Sequence, residues 1–328
     1  MIEHTIDGIP FIEDKIITSM PYMGNKRKLA TKILNSIYET VGEFDNLYDM
    51  FGGGGSVSIA GYEAGHEVHY NEFNEGVYNL FKHVLTGDVI PTEWVSRKDF
   101  FKHVNGNDWY SGFVKIIYSF GNNQKSYIYG QKIEELKRLS HESVINNDST
   151  CKKELGLLLG ITFPDIIKDR KHFMKILRDA KVGIKRTQHL ERIDKLKEIE
   201  HLERTDKLKR IDKLKEIQHL ERTDKLKQIN KMNTNFSNLS YDKVIINPVN
   251  SVIYCDPPYK DTAGYQCEIN HEDFYKWCLD QDCPVFISEY NMPDDFTCIA
   301  EFKHTASNSA TTNKVIEKLF WNGKGLLK

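Results

Sequence analysis

Apolar residues in the N-terminal third of the chain switch between two periods. From Lys28 to Val41 they recur at helical spacing, which predicts an amphipathic helix. The short apolar run Asn46 to Phe51 predicts a buried strand leading into Gly52, Gly53, Gly54 and Gly55. Ser56 to Ala64 returns to helical spacing, Glu67 to Tyr70 predicts a second strand ending at Asn71-Glu72, and Asn74 to Leu85 predicts a further helix. Strand, glycine turn, helix, strand and acid form half of a doubly wound parallel sheet. The same pattern resumes after Asn230. Ser251 to Cys255 and Pro284 to Ser288 are compact strands, and Val315 to Trp321 is expected as an edge strand. An α/β sheet is therefore expected, split in sequence by a central insertion.

That insertion has a different character. Phe100 to Gly130 is rich in aromatics, Asn and Lys. Farther on, residues 192–209 and 210–227 are identical except for Glu200 against Gln218. Apolar or β-branched residues there fall at every third position, from Leu190 to Ile229. On an α-helix such a step winds around the cylinder instead of making one stripe, and on a strand it alternates faces. Helix propensity and nearby opposite charges favour a charged helix, while the hexad alternation of Leu with Ile or Thr also suits a small β-solenoid. Both remain open for the repeat at 190–229. The expected division is a discontinuous catalytic domain, 1–98 and 240–328, around a segment 99–239 that contains the repeat.

Composition narrows the class. Lys and Arg number 45 against 47 Asp and Glu, a net charge of -2, so a nucleic-acid partner would need a local basic patch. Residues 185–227 hold 14 Lys and Arg against 10 Asp and Glu, more a solvated face than a clamp. No apolar stretch is long enough to span a bilayer, and the N-terminus lacks a secretory pattern. The six cysteines show no CxxC pairing. Buried, inert thiols, no metal site and a cytoplasmic setting are therefore expected.

Three elements carry candidate chemistry. Asp256-Pro257-Pro258-Tyr259 follows directly on a buried strand, where sites form in open α/β sheets. A carboxylate at Asp256 and the Pro257 carbonyl can accept both hydrogens of an exocyclic base amine, turning its lone pair toward a methyl donor. The prolines make the turn rigid, and Tyr259 can stack on a base that has left the duplex. In the loop Asp49 to Ser56, Phe51, Gly53 and Gly55 let a ligand approach the backbone, and no Gly-Lys-Ser/Thr of a phosphate loop follows. Glu72, about 20 residues on, suits the ribose hydroxyls of a nucleoside cofactor, with Phe73 either on its base or in the core. Before the first helix, Lys26 in Pro21-Tyr22-Met23-Gly24-Asn25-Lys26 can face a ligand carboxylate.

The content and order of these elements closely resemble the α-class, D12-type DNA adenine-N6 methyltransferases of bacteria and phages. That family carries an aromatic-x-Gly-x-Lys element, a Phe-x-Gly-x-Gly-Ser loop, an acid after strand two, a target-recognition segment and Asp-Pro-Pro-Tyr. Here these read Tyr22 to Lys26, Phe51 to Ser56, Glu72, residues near 99–239 and Asp256 to Tyr259. Tyr22 stands where the family usually has Trp, and Glu72 where it often has Asp. The resemblance covers roughly 15–130 and 250–321. It implies a Rossmann-like S-adenosylmethionine-dependent sheet with an inserted recognition domain, Tyr22, Lys26, Glu72 and Asp256 on the cofactor, and Asp256 also facing adenine N6. Double-stranded DNA is the implied partner, and a separate restriction endonuclease is a further candidate. Tyr118, Asn122, Asn123, Gln124, Lys125, Tyr127 and Tyr129 resemble the DNA-contacting region, and Ser307, Asn308 and Lys314 form a second polar loop able to touch phosphates.

Neighbouring chemistries are separable by residue type. Cytosine-N4 enzymes share the amine logic but usually carry Ser at the position of Asp256, and glutamine methylators usually carry Asn. A cytosine-C5 enzyme needs a Pro-Cys nucleophile, which the chain does not contain. A non-catalytic DNA-binding protein on the same fold predicts damage to Asp256, Tyr259 or the glycine loop, and these residues are intact.

Overall fold

The computed structural model describes residues 4–6, 8–191, 208–211, 217–229, 231–258, 269–306 and 313–328. A small hairpin, β1 (His4–Ile6) with β2 (Ile9–Phe11), precedes the main body. Helix α1 (Ala30–Val41) buries Ile33, Leu34 and Ile37 and leads to β3 (Asn46–Asp49). Next come α2 (Ser56–Ala64), β4 (Glu67–Asn71) and α3 (Glu75–Thr86), each within two residues of its sequence-based bounds.

The main sheet has seven strands. With β5 (Asn235–Ser237), β6 (Ser251–Cys255), β7 (Val285–Glu289), β8 (Thr297–Ala306) and β9 (Asn313–Trp321), the order is β5-β4-β3-β6-β7-β9-β8. The first five strands run parallel, and β9 pairs antiparallel with both β7 and β8. Strand order reverses between β3 and β6. A ligand crevice forms at such a switch point, beyond the carboxyl ends of the strands. Alternate strand residues enter two cores: Leu47, Val252, Tyr254 and Phe286 on one face, Tyr48, Ile253, Cys255, Val285 and Ile287 on the other. Both faces are thus covered, which explains strands that read as unbroken apolar runs.

Several expectations are corrected. The edge strand expected at Val315 to Trp321 is interior: β8, unrecognised in the sequence, lies outside it. β9 carries Leu319 to one core and Phe320 to the other, as a strand with two covered faces does. Not every thiol is buried: Cys255, Cys278 and Cys283 are, Cys151 is half-buried, and Cys298 is exposed on edge strand β8. Cys267 lies outside the described residues.

The insertion is mostly helical where it is described. Helices α4 (Arg97–His103) and α5 (Trp109–Ile117) start at Ser96 and Asp108, whose side chains cap Asp99 N and Ser111 N. Beyond them, α6 (Gln131–Ile145), α7 (Ser149–Leu159), α8 (Arg170–Glu191) and α9 (Gln218–Lys227) enclose a third core around Leu139, Leu155, Phe173, Leu177 and Leu220. Within the repeat, α9 buries His219, Leu220, Arg222, Thr223 and Leu226. A three-residue step drifts by only about 60° each time, so over two turns it still holds one face. The rest of the repeat, 192–207 and 212–216, lies outside the described residues. Strand β5 falls within the expected segment 99–239 yet joins the main sheet beside β4. Among the described residues no helix is long and apolar enough to cross a membrane.

Candidate active site

The carboxyl ends of β3, β4 and β6 converge on the glycine loop. Gly55 caps α2 at φ 75°, and a Cβ there would stand 2.3 Å from the Phe81 ring. Gly52 is packed on Tyr70, whose ring would lie 2.1 Å from an added Cβ. Side chains are excluded at both positions, so the backbone itself lines the crevice. Glu72 fastens the loop from β4: one oxygen accepts from Gly53 N at 2.8 Å and the other from Asn74 N at 2.7 Å. Burial pushes the Glu72 carboxyl above its ordinary pKa, and these two N–H groups oppose the shift.

A second acid stands at the end of β3. Asp49 accepts from Ser58 N at 3.1 Å and Ser58 Oγ at 2.6 Å, in the first turn of α2. Burial is the largest influence on it and, with Asp256 and Glu72 nearby, lifts its pKa to about 7 against the Ser58 bonds.

Across the crevice, Lys26 reaches Asp256 at the end of β6. Its Nζ lies 2.8 Å from Oδ1 and 2.7 Å from Oδ2, 3.1 Å from Glu317 Oε1 on β9, and 3.1 Å from the Gly24 carbonyl. Burial disfavours its charge, but the two carboxylates outweigh this and hold its pKa well above that of an ordinary lysine. An ammonium has three donors. Here they face Gly24, Asp256 and Glu317, so Lys26 grips Asp256. Asn25 fixes the preceding turn: its amide donates to Met20 O and Ser19 Oγ, and its oxygen accepts from Ser56 Oγ at 2.8 Å.

Two cavities meet here. A small one lies between the turn 22–26 and the glycine loop, with Asp49 and Tyr254 in its wall. The larger, about 570 Å³, is lined by Glu72, Phe73, Asn74, Lys115, Leu239, Tyr241 and Pro258. Tyr22, Phe51 and Asp256 line both. Phe51 packs on Tyr241 and Phe274, with ring centroids 5.9 and 5.7 Å away, while Phe73 is 56% exposed on the rim. Pro257 is buried behind Asp256; Tyr259 lies outside the described residues.

The loop after α5 is divided. Tyr118, Tyr127 and Tyr129 are interior, at 1%, 5% and 6% exposure. Their hydroxyls bond Glu93 O, Val95 O and His219 Nδ1. The expectation that these rings contact DNA is corrected, because they fill the seam between α5, α6 and α9. Gln124 is also buried and accepts from Asn74 Nδ2 at 3.0 Å, which ties the loop to the cavity wall. Asn123 turns the chain by accepting from Lys125 N and Ser126 N. Asn122 is half-buried, Lys125 is exposed, and Phe120 stands out at 64% exposure. Ser307 and Asn308 lie outside the described residues; Lys314 falls on β9, 3 positions before Glu317.

Sequence reading missed Asp49 and Tyr241 as cavity residues and Glu317 as a partner of Lys26. Glu317 left one signal, an acid in phase with Leu319 on a strand face that must be buried. Asp49 left another, an acid on the last residue of an apolar strand.

Residues 22–139 match the family model described as D12 class N6 adenine-specific DNA methyltransferase. The match takes in Tyr22, Lys26, the glycine loop, Glu72 and the loop after α5. No curated protein matches the chain.

Proposed function

We propose that this chain, whose residues 22–139 match the D12-class family model, transfers a methyl group from S-adenosylmethionine to N6 of an adenine turned out of double-stranded DNA. The observation that carries the reading is the Lys26–Asp256 pair at the switch point, facing the glycine loop across a cleft that also holds Glu72. The family match supports DNA adenine methylation. The methyl donor and the displaced base are argued from the chemistry of the cleft.

The residues fit the cofactor. Asp49 and Glu72 lie near Asp256, and Asp256 and Glu317 share the single cation Lys26, an acidic balance suited to a sulfonium cation. Each carboxylate oxygen of Glu72 uses one lone pair on a backbone N–H and retains capacity for ribose hydroxyls. Phe73, Tyr241 and Leu239 provide apolar walls for an adenine ring, and the small cavity at the N-terminus of α2 suits a carboxylate. Tyr22, Phe51, Gly53 and Gly55 complete this surface. S-adenosylmethionine supplies an electrophilic methyl group when bound.

The protein's part is to prepare the amine. Lys26, itself held by Glu317, fixes the Asp256 carboxylate, whose remaining lone pairs accept one N6 hydrogen, and the Pro257 carbonyl accepts the other. Both bonds favour a pyramidal nitrogen and strengthen as positive charge grows on it. Proline rigidity keeps the two acceptors at fixed separation. Tyr259 stacks on the displaced base. Asn122, Asn123 and Lys125 with exposed Phe120, in the loop that Gln124 ties to the cavity wall, meet the duplex, and Ser307, Asn308 and Lys314 are assigned to phosphates. The segment 99–239 acts as the target-recognition region.

The test is methyl transfer from labelled S-adenosylmethionine to unmethylated genomic DNA, with nucleoside mass spectrometry. N6-methyladenine is the expected product. N4-methylcytosine, or cofactor binding with no modified base, overturns the assignment.

A further inference from the structure

One helix of the repeat holds both ends of the loop that reaches the cleft. Arg222 on α9 is buried, and its Nη1 donates to the carbonyls of Ile117 at 2.9 Å, Ser119 at 2.7 Å and, longer, Ile116 at 3.3 Å. The first and last of these carbonyls belong to the final turn of α5, which has no intrahelical donors left for them. Ser119 opens the loop, and its bridge with Tyr127 closes it. At the other end, His219 is 1% exposed and bonds Tyr129 at 2.7 Å and His141 at 2.8 Å. Between these anchors the loop runs through Gln124, which meets Asn74 in the cavity wall.

The same residues occur 18 positions earlier. His201 and Arg204 stand in the first copy where His219 and Arg222 stand in the second, within otherwise matching sequence. Sequence alone therefore gives no reason to separate the two arginines. In the structure Arg222 is the one that meets these carbonyls.

We propose that Arg222 and His219 are positioning residues: α9 sets the loop 119–129 against the cleft, and this task falls to the second repeat copy. Arg222 acts through the α5 carbonyls, and neither residue touches the reacting groups. A guanidinium serves several acceptors from one planar head, which an ammonium on a flexible stem does not reproduce. The DNA part of the proposal rests on the reading of the cleft given above; the docking part does not.

The test compares Arg222→Ala, Arg222→Lys and the sequence-matched control Arg204→Ala in the full chain. Amide hydrogen exchange over residues 117–129, in protein without ligands, is expected to accelerate about tenfold or more in Arg222→Ala. It should recover partly in Arg222→Lys and stay at the wild-type rate in Arg204→Ala. With unmethylated duplex DNA, KM for DNA should rise at least tenfold in Arg222→Ala, with kcat and S-adenosylmethionine affinity within about twofold. His219→Ala, which keeps the arginine, is a second variant should Arg222→Ala fail to fold, and the same loop acceleration is expected of it. Equal effects of Arg204→Ala and Arg222→Ala, or unchanged loop exchange in both Arg222→Ala and His219→Ala, overturn the proposal. Faster loop exchange with unchanged KM for DNA keeps the docking and refutes the DNA-facing role of the loop.

Discussion

Asp49 gives the most quantitative prediction. Its carboxyl is buried at the end of β3, and burial lifts its pKa from 3.8 to about 7. In the unfolded chain it ionises near its ordinary value, so between pH 4 and 7 the folded state binds the extra proton. Stability from this group is fully present below pH 3.8 and is lost as pH rises toward 7, above which the loss levels off. A shift of about 3 units corresponds to roughly 4 kcal/mol in total, about 1.4 kcal/mol for each pH unit. Asp49→Asn removes the titration while keeping an acceptor for Ser58. Urea denaturation of both proteins without ligands, at pH 5, 6, 7 and 8, should show the variant gaining on wild type by about 2 kcal/mol between pH 5 and 7. The difference should then rise by only a few tenths of a kcal/mol, about 0.4, to pH 8. A difference independent of pH over this range would refute the buried titration. The same acid makes a second sign test: a bound sulfonium favours ionised Asp49, so wild-type affinity for S-adenosylmethionine should strengthen from pH 6 to 8, and Asp49→Asn should flatten that rise.

Other residues give sharper losses. Asp256→Ala should fold and bind S-adenosylmethionine yet lose at least about 100-fold in methyl transfer in single-turnover assays, as removal of a transition-state acceptor requires. Lys26→Met leaves Asp256 and buried Glu317 without their shared cation and should cost about 3–5 kcal/mol in urea denaturation. Adding Glu317→Gln should restore part of that stability, and strict additivity of the two changes would refute their coupling. Gly55→Ala places a Cβ 2.3 Å from the Phe81 ring at a left-handed φ, and should lower stability by about 2–4 kcal/mol, measured as a fall in Tm. Phe73→Ala, on an exposed rim residue, should weaken S-adenosylmethionine about tenfold in calorimetry with little change in Tm.

Much of the sheet was legible because its signals are local. The runs Asn46 to Phe51 and Ser251 to Cys255, the glycines between strand and helix, and the acid 17 positions after Gly55 each follow from backbone sterics and period over a few residues. The candidate acid Asp256 was legible for the same reason, as a rigid turn closing an apolar strand. Strand β8 was not, because an exposed edge strand needs no apolar run; its placement turned Val315 to Trp321 from an edge into an interior strand. The tyrosines of 118–129 carried the composition of a nucleic-acid surface, and only packing against α6 and α9 decided that three rings point inward. Nor does sequence separation reveal that Lys26, Asp256 and Glu317 form one charge cluster across three elements. The repeat is the clearest case, since Arg204 and Arg222 have nearly the same neighbours in sequence, and which one meets the carbonyls of α5 is a matter of tertiary position. Sequence determined the elements and the chemistry available; long-range burial and charge pairing, which depend on distances that no local pattern encodes, decided which groups face one another.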